Sequence, residues 1–166
     1  MTRPHTQPRD AGDDVARMGT ALMGFVRDFG LLQPDRTPCG KPLTVTQAHA
    51  LARIADDPGI TQRDLGETLG LARATTSELV AQLADRGWIT QHPSETDRRQ
   101  RSLQLTPGGT RITTDVAAAR QALMRELLAH VPQGDRERFV DSIELLASAV
   151  HQYRTTPADT AEHPAS

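Results

Sequence analysis

Apolar residues first recur at three- and four-residue steps. Val15, Met18, Leu22, Phe25, Val26, Phe29 and Leu32 predict an amphipathic helix over residues 13–32. The stretch "QPDRTPCGKP" then reads as a loop, with three prolines and a glycine. Thr44 and Gln47 have the T-x-x-Q spacing of a capping box ahead of "AHALARIADD", and Asp57-Pro58-Gly59 stops that helix. Thr61 is placed to cap a short helix through Leu69, with Gly70 just past its end. A second short helix runs over residues 73–86, with Leu79, Val80 and Leu83 on one face. The helical period then gives way to alternation. "WITQH" and "RSLQL" predict the two strands of a hairpin. Thr106-Pro107 opens a long helix through Ile112, Val116, Leu123 and Leu127, which "VPQG" breaks. A last helix over residues 135–154 carries Phe139, Ile143, Leu146 and Val150.

Two short helices joined by a tight turn form a helix-turn-helix, and a hairpin directly after it makes a winged helix. The expected fold is therefore mainly α with a small β-hairpin wing. Its winged helix-turn-helix lobe spans residues 43–109. A first helix and loop (residues 13–42) and two long helices (residues 110–154) flank that lobe. The polar, proline-bearing ends, residues 1–12 and 155–166, read as disordered tails. The flanking helices border a lobe that is already complete, so their apolar stripes need another surface. A second copy of the chain is the economical one, which predicts a homodimer.

Composition narrows the class. A chain of 166 residues with net charge −2 is no diffuse polycation, so any nucleic-acid contact must use local groups. No apolar run approaches the roughly 20 residues of a membrane span, and the N-terminus lacks the apolar segment of a secretory signal. One cysteine, Cys39, permits no intrachain disulfide, which fits a reducing cytoplasm. The six histidines show no ligand spacing on one helix, and no phosphate loop or nucleophile elbow is present. No metal, cofactor or catalytic residue is expected.

The candidate chemistry is nucleic-acid recognition. Arg73, Thr75, Thr76 and Ser77 occupy the N-terminal half of the second short helix, the end that enters the major groove of a DNA duplex in helix-turn-helix docking. Arg73 suits guanine O6 and N7, and the hydroxyls suit phosphates or base edges. The hairpin tip "SETDRRQRSL" supplies Arg98, Arg99 and Arg101, with Asp97 beside them. A narrow minor groove attracts inserted arginine. Asp97 would repel phosphate, but its carboxylate can hold one guanidinium in a bidentate pair and fix its direction. Arg99 is the favoured residue for the groove. Trp88 is expected to pack at the base of the wing.

These residues carry a family resemblance. The stretch "LTVTQAHALARI…GITQRDLGETLGLARATTSELVAQLADRGWITQHPSETDRRQRSLQLTPGG" resembles the MarR family of bacterial transcription regulators. Its most recognisable marks are Asp97-Arg98-Arg99 in the wing and Leu105-Thr106-Pro107-Gly108-Gly109 after it. The resemblance covers residues 43–109; the first helix and the last two agree in pattern only. It implies a homodimer joined through the terminal helices, a pseudo-palindromic DNA site, repression, and release by a small phenolic or other aromatic effector. An effector site is expected near Phe25, Phe29 and His49. Relatives that sense oxidants usually carry the cysteine in the first helix; Cys39 lies after it and is read as an incidental thiol.

Three positions depart from the family's pattern. Ala72 stands where a serine usually caps the recognition helix, a loss of about 1 kcal/mol. Glu78 stands where a basic or polar residue is common. Gly66 replaces an alanine in the supporting helix, weakening it by up to about 1 kcal/mol unless close packing requires it. The alternative reading is a ligand-binding or protein-interaction module that keeps the winged helix without binding DNA.

Overall fold

The computed structural model describes residues 11–93 and 101–156. The elements in order are α1 (Ala11–Asp28), α2 (Val45–Asp56), α3 (Gln62–Leu69), α4 (Arg73–Asp85), β1 (Ile89–Pro93), β2 (Arg101–Leu105), α5 (Pro107–Ala129) and α6 (Arg136–Thr155). The order is the expected one. The chain divides into two compact units at Gln121/Ala122, inside α5.

The first unit holds the core. Leu43, Leu51, Ile54, Leu65, Leu83 and Leu103 are fully buried and come from α2, α3, α4, β2 and the segment before α2. Burying each such side chain contributes about 1.5–3 kcal/mol. Trp88 is half-buried against this cluster, with the Arg86 guanidinium carbon 4.8 Å from its ring centre.

Local signals in the sequence set most boundaries. At α2 the capping box is complete: the Gln47 N–H donates to Thr44 Oγ1 at 3.0 Å and the Thr44 N–H donates to Gln47 Oε1 at 3.1 Å. The Gln47 side chain, itself buried, also donates through Nε2 to Gln82 Oε1 at 3.0 Å, tying α2 to α4. Thr61 caps α3 by accepting from the Asp64 N–H at 3.1 Å. Thr106 Oγ1 accepts from the Gly109 N–H at 3.0 Å and donates to the Gly87 carbonyl at 2.6 Å, joining the start of α5 to the end of the helix-turn-helix. A Cβ at Gly109 would overlap the Trp88 carbonyl. The Leu-Thr-Pro-Gly-Gly run thus has a steric reason.

The strands pair antiparallel, with Ile89 opposite Leu105 and Gln91 opposite Leu103. A third segment pairs with β2, which the alternation pattern does not predict. Gly59 N donates to the Leu103 carbonyl and Leu103 N to the Ile60 carbonyl, both at 2.9 Å, and Thr61 bridges Ser102. The turn after α2 therefore lies along β2, which brings the start of α3 to the wing.

Several ends of the expected helices move. The first helix begins at Ala11, so residues 11 and 12 belong to it rather than to a tail, and it ends at Asp28 rather than Leu32. Gly30 takes a left-handed φ of 79°, and Leu31 N bonds back to the Val26 carbonyl at 3.2 Å, closing the helix four residues before its apolar pattern stops. The last helix extends to Thr155, also beyond the expected edge.

In the second unit the end of α5 turns through Pro132 and a short 3-10 turn at Gln133–Asp135 into α6. Arg136 Nε donates to the Val131 carbonyl at 3.1 Å, and Arg138 pairs with Asp135 at 2.8 Å. No residue of α6 is buried. Among the described residues, no helix is long and apolar enough to cross a membrane.

Candidate nucleic-acid interface

The interface is built on α3 and α4. Gly70 closes α3, and Leu71 N bonds to the Gly66 carbonyl at 2.9 Å, so only Gly70, Leu71 and Ala72 separate the two helices. Ala72 occupies the cap position of α4 and makes no side-chain cap bond there. The departure noted in the sequence is thus a cap that is absent.

The four residues expected on α4 separate. Arg73, Thr75 and Ser77 are exposed, and Glu78 lies on the same open surface one turn beyond Thr75. Thr76 does not join them. It is 2% exposed, its hydroxyl donates to the Ala72 carbonyl at 3.0 Å, and it packs on α3. Thr76 is therefore closed to DNA. The sequence held the signal: Thr76 precedes Leu79, Val80 and Leu83 by three, four and seven residues, which places it on the buried face.

The packing under Thr76 explains Gly66. A Cβ at position 66 would lie 2.6 Å from Thr76 Oγ1 and 3.2 Å from its Cγ2. The glycine removes the side chain that would otherwise wedge α3 from α4. Loss of helix propensity here is offset by close approach of the recognition helix.

A cavity of about 540 Å³ opens beside this contact, with Gly66 and Thr76 among its lining residues. Arg73 from α4, Arg101 from the first position of β2, and Gln62, Arg63 and Glu67 from α3 also line it. Arg63 Nε donates to Glu67 Oε1 at 2.8 Å, one helical turn away. That hydrogen bond, and then the carboxylate's charge, raises the Arg63 guanidinium further above its ordinary range. Among the described residues, Arg73 and Arg101 make no ion pair. The i,i+4 spacing of Arg63 and Glu67 is visible in the sequence. Their position beside Arg101 is not, because it depends on the Thr61–Ser102 bridge.

Asp97, Arg98 and Arg99 lie outside the described residues. Phe25 and Phe29 stack on α1, with ring centres 4.8 Å apart and planes at 23°. Phe25 is half-exposed and His49 is an exposed residue of α2. The Cys39 Sγ sits 3.1 Å from the hydroxyl of the buried Thr37, in the loop that leads to Leu43.

Comparison with known proteins agrees with this architecture. The sequence model of the MarR family matches residues 41–100. The transcriptional regulator HosA of Escherichia coli O157:H7 is 30% identical over 101 residues, covering 61% of this chain and 75% of that protein. The PcaV transcriptional regulator from Streptomyces coelicolor, in complex with its natural ligand, superposes with a TM-score of 0.61 at 24% identity, covering 87% of this chain and 99% of that one. Streptococcus pneumoniae FabT, in complex with DNA, gives 0.65 at 17% identity, covering 85% and 98%. These two likenesses establish the fold. The winged-helix order, the match across the helix-turn-helix and wing, and the identity to HosA agree: this chain belongs to the MarR family of transcription regulators.

Proposed function

We propose that this regulator is a cytoplasmic, DNA-binding, ligand-responsive repressor that grips a pseudo-palindromic operator as a homodimer. The observation that carries the reading is the open N-terminal face of α4. There Arg73, Thr75 and Ser77 stand exposed on a helix whose opposite face is locked into the core through Thr76, Leu79, Val80 and Leu83. Rigid support beneath an exposed arginine and hydroxyls is what base and phosphate reading requires. The DNA complex of FabT supports the same use of the fold. In this proposal the wing, with Arg98 and Arg99 and with Asp97 steering one of them, enters the adjoining minor groove.

The dimer rests on apolar faces. On α1, Val15, Met18 and Met23 are exposed. On α6 the same holds for Phe139, Ile143, Leu145, Val150 and Tyr153. Rows of this kind mark surfaces that another chain covers. Two recognition helices related by a two-fold axis would read half-sites about 10 bp apart. The effector proposal rests on the Phe25–Phe29 stack, a flat apolar face suited to an aromatic ring, and on His49 as a polar partner. The ligand held by PcaV supports it.

The deciding experiment is a titration of the chain against DNA from its own upstream region, with sedimentation in parallel. We expect a species of about twice the 18.1 kDa chain mass. Arg73→Ala and Arg99→Ala are each expected to weaken binding by about 1–3 kcal/mol and flatten its salt dependence. Unchanged affinity in both variants would remove Arg73 and Arg99 from the interface, whereas no binding by the unaltered chain would leave the winged helix as an interaction module without DNA binding.

A further inference from the structure

We propose that Glu67 limits the affinity of this chain for DNA by neutralising Arg63 where a phosphodiester strand crosses between α4 and the wing. The inference rests on the DNA-binding reading above and adds a residue that opposes binding. Its starting point is geometric. Adjacent major and minor grooves of a duplex are separated by one sugar–phosphate strand. If α4 enters the first groove and the wing the second, that strand must pass between the start of α4 and the start of β2. The cavity lined by Arg73, Arg101, Gln62, Arg63 and Glu67 lies at that place.

The charges of the cavity are unequal in availability. Among the described residues, Arg73 and Arg101 form no ion pair, so no described carboxylate competes with a phosphate for either. Arg63 is held by Glu67 at 2.8 Å. A neutralised arginine still offers N–H donors, but it attracts phosphate weakly and displaces no counterion. The pair is also easily altered, because its side chains are 72% and 62% exposed and water screens the attraction of such pairs. Glu67 is therefore dispensable for the fold and present at a cost to binding. An interface that must release its operator gains from such a residue, since the complex stays within reach of a modest opposing force.

Glu67→Gln keeps the size and hydrogen-bonding capacity of the side chain and removes its charge. We expect it to tighten binding about three- to tenfold at about 0.1 M salt and to steepen the slope of log affinity against log salt by about 0.9. The gain is expected on an unrelated duplex as well as on upstream DNA, because strand contacts carry no sequence information. Arg63→Ala leaves the carboxylate uncompensated and is expected to weaken binding, while Arg63→Ala with Glu67→Gln returns it to near the original value. Circular dichroism and melting confirm that each variant is folded. Affinity unchanged or lowered by Glu67→Gln, or raised by Arg63→Ala, overturns the proposal. If the unaltered chain binds and Arg73→Ala weakens it while Glu67→Gln does nothing, only the role of Glu67 falls. If the unaltered chain shows no salt-dependent DNA binding, the DNA-binding reading falls and this one with it.

Discussion

The winged-helix lobe and α6 use nearly the same apolar residue types and arrive at opposite states. In the lobe, leucines and isoleucines from α2, α3, α4 and the hairpin close on one another, and Leu65, Leu83 and Leu103 reach 0% exposure. On α6, Ile143 is 51% exposed and Tyr153 84%, and no residue is buried. Sequence periodicity does not distinguish these cases, because an apolar stripe records a demand for cover without naming the surface that meets it. The lobe meets its demand within the chain. In the dimer proposed above, α6 meets it with a second copy.

The comparison breaks most readily at Leu83. Its truncation, Leu83→Ala, is expected to cost about 2–5 kcal/mol by emptying a site that neighbouring helices cannot refill. Urea unfolding followed by circular dichroism measures it; a loss below 1 kcal/mol would show that the lobe is looser than its burial implies. Ile143→Ala tests the other side. A side chain on a free surface changes stability by no more than about 0.5 kcal/mol. One covered by a partner is worth about 1–2 kcal/mol, seen as a melting shift that depends on protein concentration. We expect the second pattern; a shift independent of concentration would leave α6 without a partner chain. The smallest effect is expected at the edge of the lobe. Ala72→Ser restores a side-chain cap to α4 and is expected to stabilise the chain by about 0.5–1 kcal/mol, read as a rise in melting temperature. No rise would mean that the exposed first-turn amides of α4 are already satisfied by solvent.

Much of the fold is legible in the sequence because its signals are local. Thr44 with Gln47, Thr61 and Thr106 each fix a helix start through a side chain three residues or fewer from the backbone group it satisfies. The hairpin follows from alternation. The errors have equally specific causes. Apolar periodicity continued to Leu32 after Gly30 had already turned the backbone. The hydroxyl of Thr76 suggests a polar contact, but its spacing from Leu79 and Leu83 sets it on the buried face. Of the proposed interface, Arg73, Thr75 and Ser77 are named by their place in the helix-turn-helix, and the structure leaves them exposed. The cavity that Arg63, Glu67 and Arg101 share could not, since it joins residues 34 or more positions apart through pairing of the segment after α2 with β2. Gly66 could be recognised as unusual, but not as necessary, until Thr76 was seen against it.

That contact makes positions 66 and 76 a single unit of change. A methyl group at 66 collides with the threonine, whereas shortening Thr76 first opens the room that an alanine at 66 would occupy. The two substitutions are therefore not interchangeable in order. Replacement of Gly66 by alanine has a passable route that begins at position 76 and an obstructed one that begins at position 66. Because α4 packs on α3 through this contact, the order of the two changes bears on the support of α4 as well as on α3 itself.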